Sequence, residues 1–337
     1  MTMIRGKRVL ITGGAGFIGT HMAERLARDN EVTLMDLAFG GALAYSPLGR
    51  DPRIRRIEAD VLDADAVEIA VAGCDIILHF ASLIGVGHVI SHARLTLDTV
   101  LFGTRNVLAA AARNRGRIER LVYLSTSEVY ADVAAASEST AASIRCGNDA
   151  RLSYPSAKLA GEHMVWAYHR DFGLPTVIVR PFNVYGPYRT GRHAVGMFAV
   201  RALSGAPLVV DGDGSQLRSW CYVADFCDAL VATLARPAAA GQHFNIGNPR
   251  TSITIYGLAQ RIRELCDSSS PIVTAPHSFS DIRLRAPDLE HSRRVLGFEP
   301  AHDLADGLAR TIDWYRGHLA DFEAWQDPRP ALAAVGA

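Results

Sequence analysis

Over the first 180 residues, short apolar runs alternate with longer stretches of helical period. Residues 9–12, 32–35, 54–59, 76–80, 121–125 and 176–179 have strand length. They are mostly continuous runs, the pattern of strands covered on both faces. Between them, 17–28, 64–72, 103–113 and 154–172 read as helices; in the last, Ala157, Gly161, Met164, Tyr168 and Phe172 recur at spacings of three and four. This order predicts an α/β fold, a doubly wound parallel sheet with right-handed crossovers. After about Arg180 the pattern loosens into turns such as Tyr185-Gly186-Pro187, shorter helices and a final helix near 304–316. The expected division is therefore a first domain over 1–180, a smaller C-terminal α/β lobe over 181–327, and a flexible tail over 328–337. The segment 133–150, rich in Ala and Ser, has no clear period and is expected to be a mobile loop over the site.

Composition narrows the class of partner. Among 337 residues, 35 Lys+Arg balance 35 Asp+Glu, with 49% apolar and 21% charged. Disorder and nucleic-acid binding both call for a charge imbalance, so a small-molecule partner is expected and no nucleic acid. The longest apolar stretch, near 76–86, includes His79, Ser82 and Gly85 and falls short of the roughly 20 residues a membrane helix needs. No membrane association is expected, and the cytoplasm is the expected location. Cys74, Cys146, Cys221, Cys227 and Cys266 are scattered and odd in number, which suits reduced thiols. The twelve histidines show no metal-ligand spacing, Glu162-His163 reads as an ordinary surface pair, and no metal is expected.

Two constellations carry chemistry. Directly after the first strand, Gly13-Gly14-Ala15-Gly16-Phe17-Ile18-Gly19 opens a helix. Gly13 permits the turn, Gly16 lets backbone N–H groups approach a pyrophosphate, and Gly19 permits close helix–sheet packing. Asp36 closes the second strand, where a carboxylate accepts from a ribose 2′-hydroxyl and repels a 2′-phosphate, so the expected cofactor is NAD rather than NADP. Asp60-Val61 closes the third strand, at the expected adenine edge. The second constellation is Tyr154-Pro155-Ser156-Ala157-Lys158, whose first and last residues share a helix face. A phenol titrates near 10, so the expectation is that the Lys158 ammonium and the positive nicotinamide lower Tyr154 until it can act as a base.

With these motifs in one order, the chain resembles the extended short-chain dehydrogenases/reductases of the nucleotide-sugar epimerase/dehydratase/decarboxylase group. The resemblance runs from about Arg8 to Tyr315. It is carried also by His79-Phe80-Ala81-Ser82, Leu124-Ser125-Thr126-Ser127-Glu128-Val129-Tyr130, Arg180-Pro181-Phe182-Asn183-Val184-Tyr185-Gly186-Pro187, Arg218-Ser219-Trp220-Cys221-Tyr222-Val223-Ala224-Asp225 and Asn245-Ile246-Gly247-Asn248-Pro249. It implies a Rossmann-type fold, with Phe17, Ile18 and Ala81 joining Gly13, Gly16, Gly19, Asp36, Asp60 and Val61 around NAD. It also implies that Thr126 holds the sugar oxygen being oxidised, that Tyr154 is the base, and that Lys158 orients the ribose. Asn183, Arg192 and Arg218 match positions that hold the substrate diphosphate, and Ser127 lines the sugar. A homodimer through helices 103–113 and 154–172 is implied as well.

In this group the reactions begin with a 4-keto sugar and diverge afterwards. The pair Ser127-Glu128 is similar to that of UDP-glucuronate decarboxylases, where many hexose dehydratases carry Asp-Glu. GDP-mannose dehydratases share the pair, but Asp36 speaks against their NADP preference. Asp281-Ile282-Arg283-Leu284-Arg285 resembles the decarboxylase segment whose Arg enters the site, making Arg285 the matching residue. Three positions depart from the pattern: the loop 82–88 lacks the usual proline and tyrosine, Ala131 replaces a glycine, and Val100 stands where Asn is common. The expected function is NAD-dependent decarboxylation of UDP-glucuronate or a close relative to a UDP-pentose. The alternatives are a 4-epimerase of a UDP-hexose or UDP-hexuronate, then a 4,6-dehydratase. A catalytically silent NAD-binding regulator would have lost Thr126, Tyr154 and Lys158, and all three are present.

Overall fold

The computed structural model describes residues 4–145, 147–276 and 283–326. Cys146, Asp281, Ile282 and the tail 328–337 lie outside the described residues. Strands β1 (Arg8–Thr12), β2 (Glu31–Asp36), β3 (Arg55–Glu58), β4 (Ile76–His79), β5 (Arg120–Leu124), β6 (Thr176–Pro181) and β7 (His243–Ile246) form one sheet. Their order is β7-β6-β5-β4-β1-β2-β3, and every neighbouring pair is parallel. This is the α/β, Rossmann-type doubly wound fold that the periodicity predicts. The continuous apolar runs follow from burial on both faces. Val9, Ile11, Leu34 and Leu78 face one core, shared with Phe226 and Leu230 of the helix Val223–Ala235. Leu10, Met35, Ile77 and Tyr123 face another, shared with α3 (Ala93–Arg113) and α4 (Ser153–Phe172). The remaining crossover helices of the first half are α1 (Phe17–Leu26) and α2 (Ala64–Val71).

Three features differ from the sequence reading. Helix α3 begins at Ala93, nearly three turns before 103, because the threonines Thr96 and Thr99 occupy buried positions there and mask the apolar period. The expected boundary at 180 falls inside β6. The chain then returns as β7 to pair with β6, so residues beyond 181 add a strand to the same sheet. Finally, residues 133–136 of the expected mobile loop form the strand Val133–Ala136. That strand is the edge of a four-stranded sheet whose other members, in order, are Leu284–Pro287, Leu217–Ser219 and Ser252–Thr254. A segment from the first half thus lies beside the strand that carries Arg285, with Arg285 opposite Val133. Cys74, Cys221, Cys227 and Cys266 are free thiols. Among the described residues no helix is long and apolar enough to cross a membrane.

Candidate active site

The sheet order reverses between β1 and β4, and the glycine loop lies at their carboxyl ends. Gly13 has φ +69, and a Cβ there would lie 2.8 Å from the Ala81 nitrogen. At Gly19 a Cβ would lie 2.3 Å from the Gly13 carbonyl oxygen. Backbone packing therefore excludes side chains at both positions. Gly16 caps α1 without any side-chain hydrogen bond, and no acid occupies the first turn, which leaves N–H groups and the positive helix end for an anion. Asp36 ends β2; its carboxylate accepts from the Ala15 N–H at 3.0 Å and the Leu37 N–H at 2.8 Å, and burial pushes its carboxyl above the usual range. Asp60 accepts from the Leu62 N–H at 2.9 Å, while Val61 packs on Gly103 of α3. Phe17 and Ile18 open α1, half-buried. The Ala81 N–H donates to Thr12 Oγ1 at 3.3 Å, and Thr12 is also 2.8 Å from His79 Nδ1. A cradle that a Cβ would fill and an uncapped helix end fit a dinucleotide diphosphate.

Helix α4 brings Tyr154 and Lys158 to the same edge. The Lys158 ammonium donates to the Leu124 carbonyl at 2.7 Å and lies 5.9 Å from the centre of the Tyr154 ring. Burial lowers Lys158 to about 7, opposed by the Glu162 carboxylate one turn on. The protein alone does not lower Tyr154 as expected. Burial, and then the Glu128 charge, raise the phenol well above its ordinary value, while Thr126, Arg285 and Arg189 pull the other way. Desolvation of a phenolate outweighs those contributions, and a cationic ring against the phenol would reinforce them.

Glu162 is not a surface residue. It is 0% exposed, accepts from Arg180 Nε at 2.8 Å and from the Ser125 hydroxyl, and Arg180 in turn reaches Tyr130. A buried pair of this kind is costly to break, and it fixes α4 against β5 and β6 behind Tyr154 and Lys158. The sequence reading missed it because the partners lie on different elements.

The sugar side is assembled around Glu128. Thr126 caps the turn Ser127–Tyr130, accepting from the Glu128 N–H at 3.2 Å, and its hydroxyl interacts with the Tyr154 phenol. Ser127 is buried in that turn. The turn ends at Ala131 with φ +56, a conformation that favours glycine. Glu128 Oε1 is 3.5 Å from Arg285 Nη1, and Oε2 is 3.9 Å from Nη2 of Arg151, a residue the sequence reading did not single out. Arg285 is 6% exposed and its Nη2 donates to Asn183 Oδ1 at 3.4 Å, yet its Nε and Nη1 make no hydrogen bond among the described residues. Asn183, at φ +36, donates to the Ser219 carbonyl at 3.1 Å. Arg218 is 5% exposed and stands beside Arg285 on the neighbouring strand. Arg192 is exposed, with its guanidinium on the Ala324 carbonyl at 3.2 Å. Among the described residues no group of three or more His, Cys, Asp or Glu side chains could hold a metal ion.

Residues 9–247 match the model of the NAD dependent epimerase/dehydratase family. The chain belongs to that family. Members of the family are NAD-dependent enzymes that modify nucleotide sugars, and NAD is this chain's cofactor. A UDP-N-acetyl-alpha-D-glucosaminuronate decarboxylase of Bacillus cytotoxicus is 35% identical, over 92% of this chain and 98% of its own. A UDP-glucuronic acid decarboxylase of Xenopus tropicalis is 32% identical, over 98% of this chain and 78% of its own. Among solved structures, a dTDP-glucose 4,6-dehydratase from Streptomyces venezuelae with NAD bound superposes with a TM-score of 0.85 at 31% identity, covering 94% of this chain and 99% of that one. Family membership thus accounts for the cradle, while relatives with different reactions leave the sugar side to be argued from its own residues.

Proposed function

We propose that the protein decarboxylates a UDP-hexuronate, UDP-glucuronate or a close relative, through a 4-keto intermediate, and yields a UDP-pentose in the glucuronate case. The observation that carries this reading is Arg285. A buried guanidinium whose Nε makes no hydrogen bond among the described residues, and whose Nη1 has the Glu128 carboxylate only at ion-pair distance, has room for a further acceptor, and a sugar carboxylate is an anionic one. Arg285 and Arg151 both approach the Glu128 carboxylate, and Arg218 stands beside Arg285, so cations gather at this wall of the site. A 4-epimerase of a neutral hexose has no use for a cation there. A 4,6-dehydratase needs an acid for the leaving hydroxyl, and Ser127 occupies the position next to Glu128. The names of the two decarboxylase relatives support the same choice.

In this reading NAD, when bound, accepts hydride from C4 and later returns it. Tyr154 takes the proton of the C4 hydroxyl, and Thr126 holds the same oxygen. The C5 carboxylate is then β to a ketone. As the bond from C5 to the carboxyl carbon breaks, its electron pair moves toward the ketone oxygen and CO2 leaves past Arg285. C5 takes a proton, and on reduction Tyr154 returns its proton to the C4 oxygen. Lys158, held by the Leu124 carbonyl, orients the ribose. Asn183, Arg218 and Arg192 hold the substrate diphosphate. Ser127 lines the sugar, and Asp36 with Asp60, Val61 and Ala81 completes the cofactor contacts. Incubation with UDP-glucuronate and with UDP-N-acetylglucosaminuronate, followed by mass spectrometry, should give a product lighter by one CO2. An isomer of unchanged mass would replace this reading with a 4-epimerase.

The same proposal includes a homodimer. Leu95 and Phe102 on α3 and Phe172 on α4 are exposed apolar side chains on two helices that pack together, which supports a shared four-helix contact. Sedimentation showing a monomer at micromolar concentration would overturn it. Four free thiols support the reduced cytoplasm as its location.

A further inference from the structure

A strap of chain from Gly186 to Thr190 crosses the glycine helix from the substrate side. The Pro187 carbonyl is 3.0 Å from His21 Nε2, and the Tyr188 ring stacks on His21 with centroids 4.9 Å apart. Tyr188 holds φ +67, a left-handed conformation that costs about 1 kcal/mol for a residue with a side chain, so these contacts hold the strap in a set shape. The next residue, Arg189, is fixed at both ends. Its backbone carbonyl accepts from the Tyr315 hydroxyl at 2.6 Å, and its Nη1 donates to the Val184 carbonyl.

The guanidinium so held lies 5.5 Å from the centre of the Phe17 ring, at the start of α1. The groups that act on it are the Tyr154 and Tyr315 phenols, and burial pushes it down from its ordinary value. Among the described residues no carboxylate pairs with it. A half-buried cation without a counter-charge is poorly solvated, and an anion brought into reach relieves that. The nearby end of α1 is uncapped and has no acid in its first turn.

We propose that Arg189 is a cofactor-binding residue that donates to the diphosphate of NAD from the side opposite the glycine loop. The dinucleotide is then gripped between the N–H groups of α1 and a cation delivered by the strap, which the helix Leu304–Gly317 anchors through Tyr315. The proposal rests on the family's NAD site and not on which sugar reaction follows, so the two can fail separately.

The test uses the full-length protein loaded with NADH, chased with excess NAD and followed by nicotinamide fluorescence. Losing one charge-assisted contact should make Arg189→Gln release NADH about 10- to 100-fold faster, with Arg189→Lys between the two. In competition against bound NADH, ADP-ribose should lose affinity for Arg189→Gln by a similar factor, while adenosine, which lacks the diphosphate, competes with unchanged affinity. Release at the native rate would overturn the proposal. So would equal acceleration in the Lys and Gln variants, which marks a packing role, or equal weakening of adenosine, which marks a disrupted pocket.

Discussion

The two sides of the site are built by opposite means. On the cofactor side, recognition is prepared by main chain: a loop without side chains at Gly13 and Gly19, an uncapped helix end at Gly16, and Asp36 bonded to the loop it serves. All of it comes from one strand–helix–strand unit. On the proposed sugar side, the polar groups are long charged side chains from separate parts of the chain: Glu128, Arg151, Arg218 and Arg285, with Asn183 between strands. Close backbone approach forces particular residues at fixed spacing. A charge cluster only needs its members to meet in space, so it can be re-specified for a new sugar without disturbing the cofactor. This suits a family whose relatives share the cradle and differ in reaction.

Five changes probe that contrast, from the largest effect to the smallest. Tyr154→Phe removes the group that serves both sides; turnover should fall roughly 10³-fold while NADH affinity, measured by fluorescence, stays native. Retained turnover would move the chemistry elsewhere. Arg285→Gln acts on the sugar side alone and should lower kcat for CO2 loss about 100-fold, leaving NAD affinity unchanged. Gly19→Ala is its counterpart on the cofactor side. The added Cβ meets the Gly13 carbonyl, so denaturant melts should show about 1–3 kcal/mol of lost stability and titration should show weakened NAD.

The fourth change tests the floor beneath both sides, where His79 bridges Thr12 and Thr104. Burial holds this imidazole at about 3, below its ordinary value, so as pH falls the unfolded chain takes up the proton first. Stability contributed by the neutral ring is therefore fully present above about pH 6.5 and is lost as pH falls toward 3, at about 1.4 kcal/mol per unit. Melts at about pH 7.5 and pH 5.5 should show His79→Gln losing about 1.4 kcal/mol less than the native protein between them. Equal losses would contradict a buried neutral His79. The smallest change, Ala131→Gly, relieves positive φ at the end of the Glu128 turn and should raise stability by about 1 kcal/mol. If stability fell instead, the turn would owe its shape to the alanine.

The contrast also explains what was legible in the sequence. The sheet, the glycine cradle, Asp36 and the Tyr154/Lys158 pair follow local period and spacing, and the structure brings them to one edge. Strand β7 was missed because four residues between a helix and a turn carry no period of their own. The strand Val133–Ala136 was missed because its partner, Leu284–Pro287, is remote in the chain. Glu162 looked like a surface acid because Arg180 and Ser125, which neutralise and bond it, stand on other elements. Arg151 and Arg189 left no trace for the same reason: an isolated Arg in a turn is ordinary until its neighbours are known.

In the proposed reaction the sugar side removes a carboxylate. UDP-glucuronate labelled in its carboxyl carbon, incubated with enzyme and NAD in deuterium oxide and followed by NMR, tests it directly. The label should leave as CO2 and bicarbonate while one deuterium enters at C5 of the remaining pentose. A label that stays on the sugar throughout turnover, with only the C4 configuration changed, would contradict it.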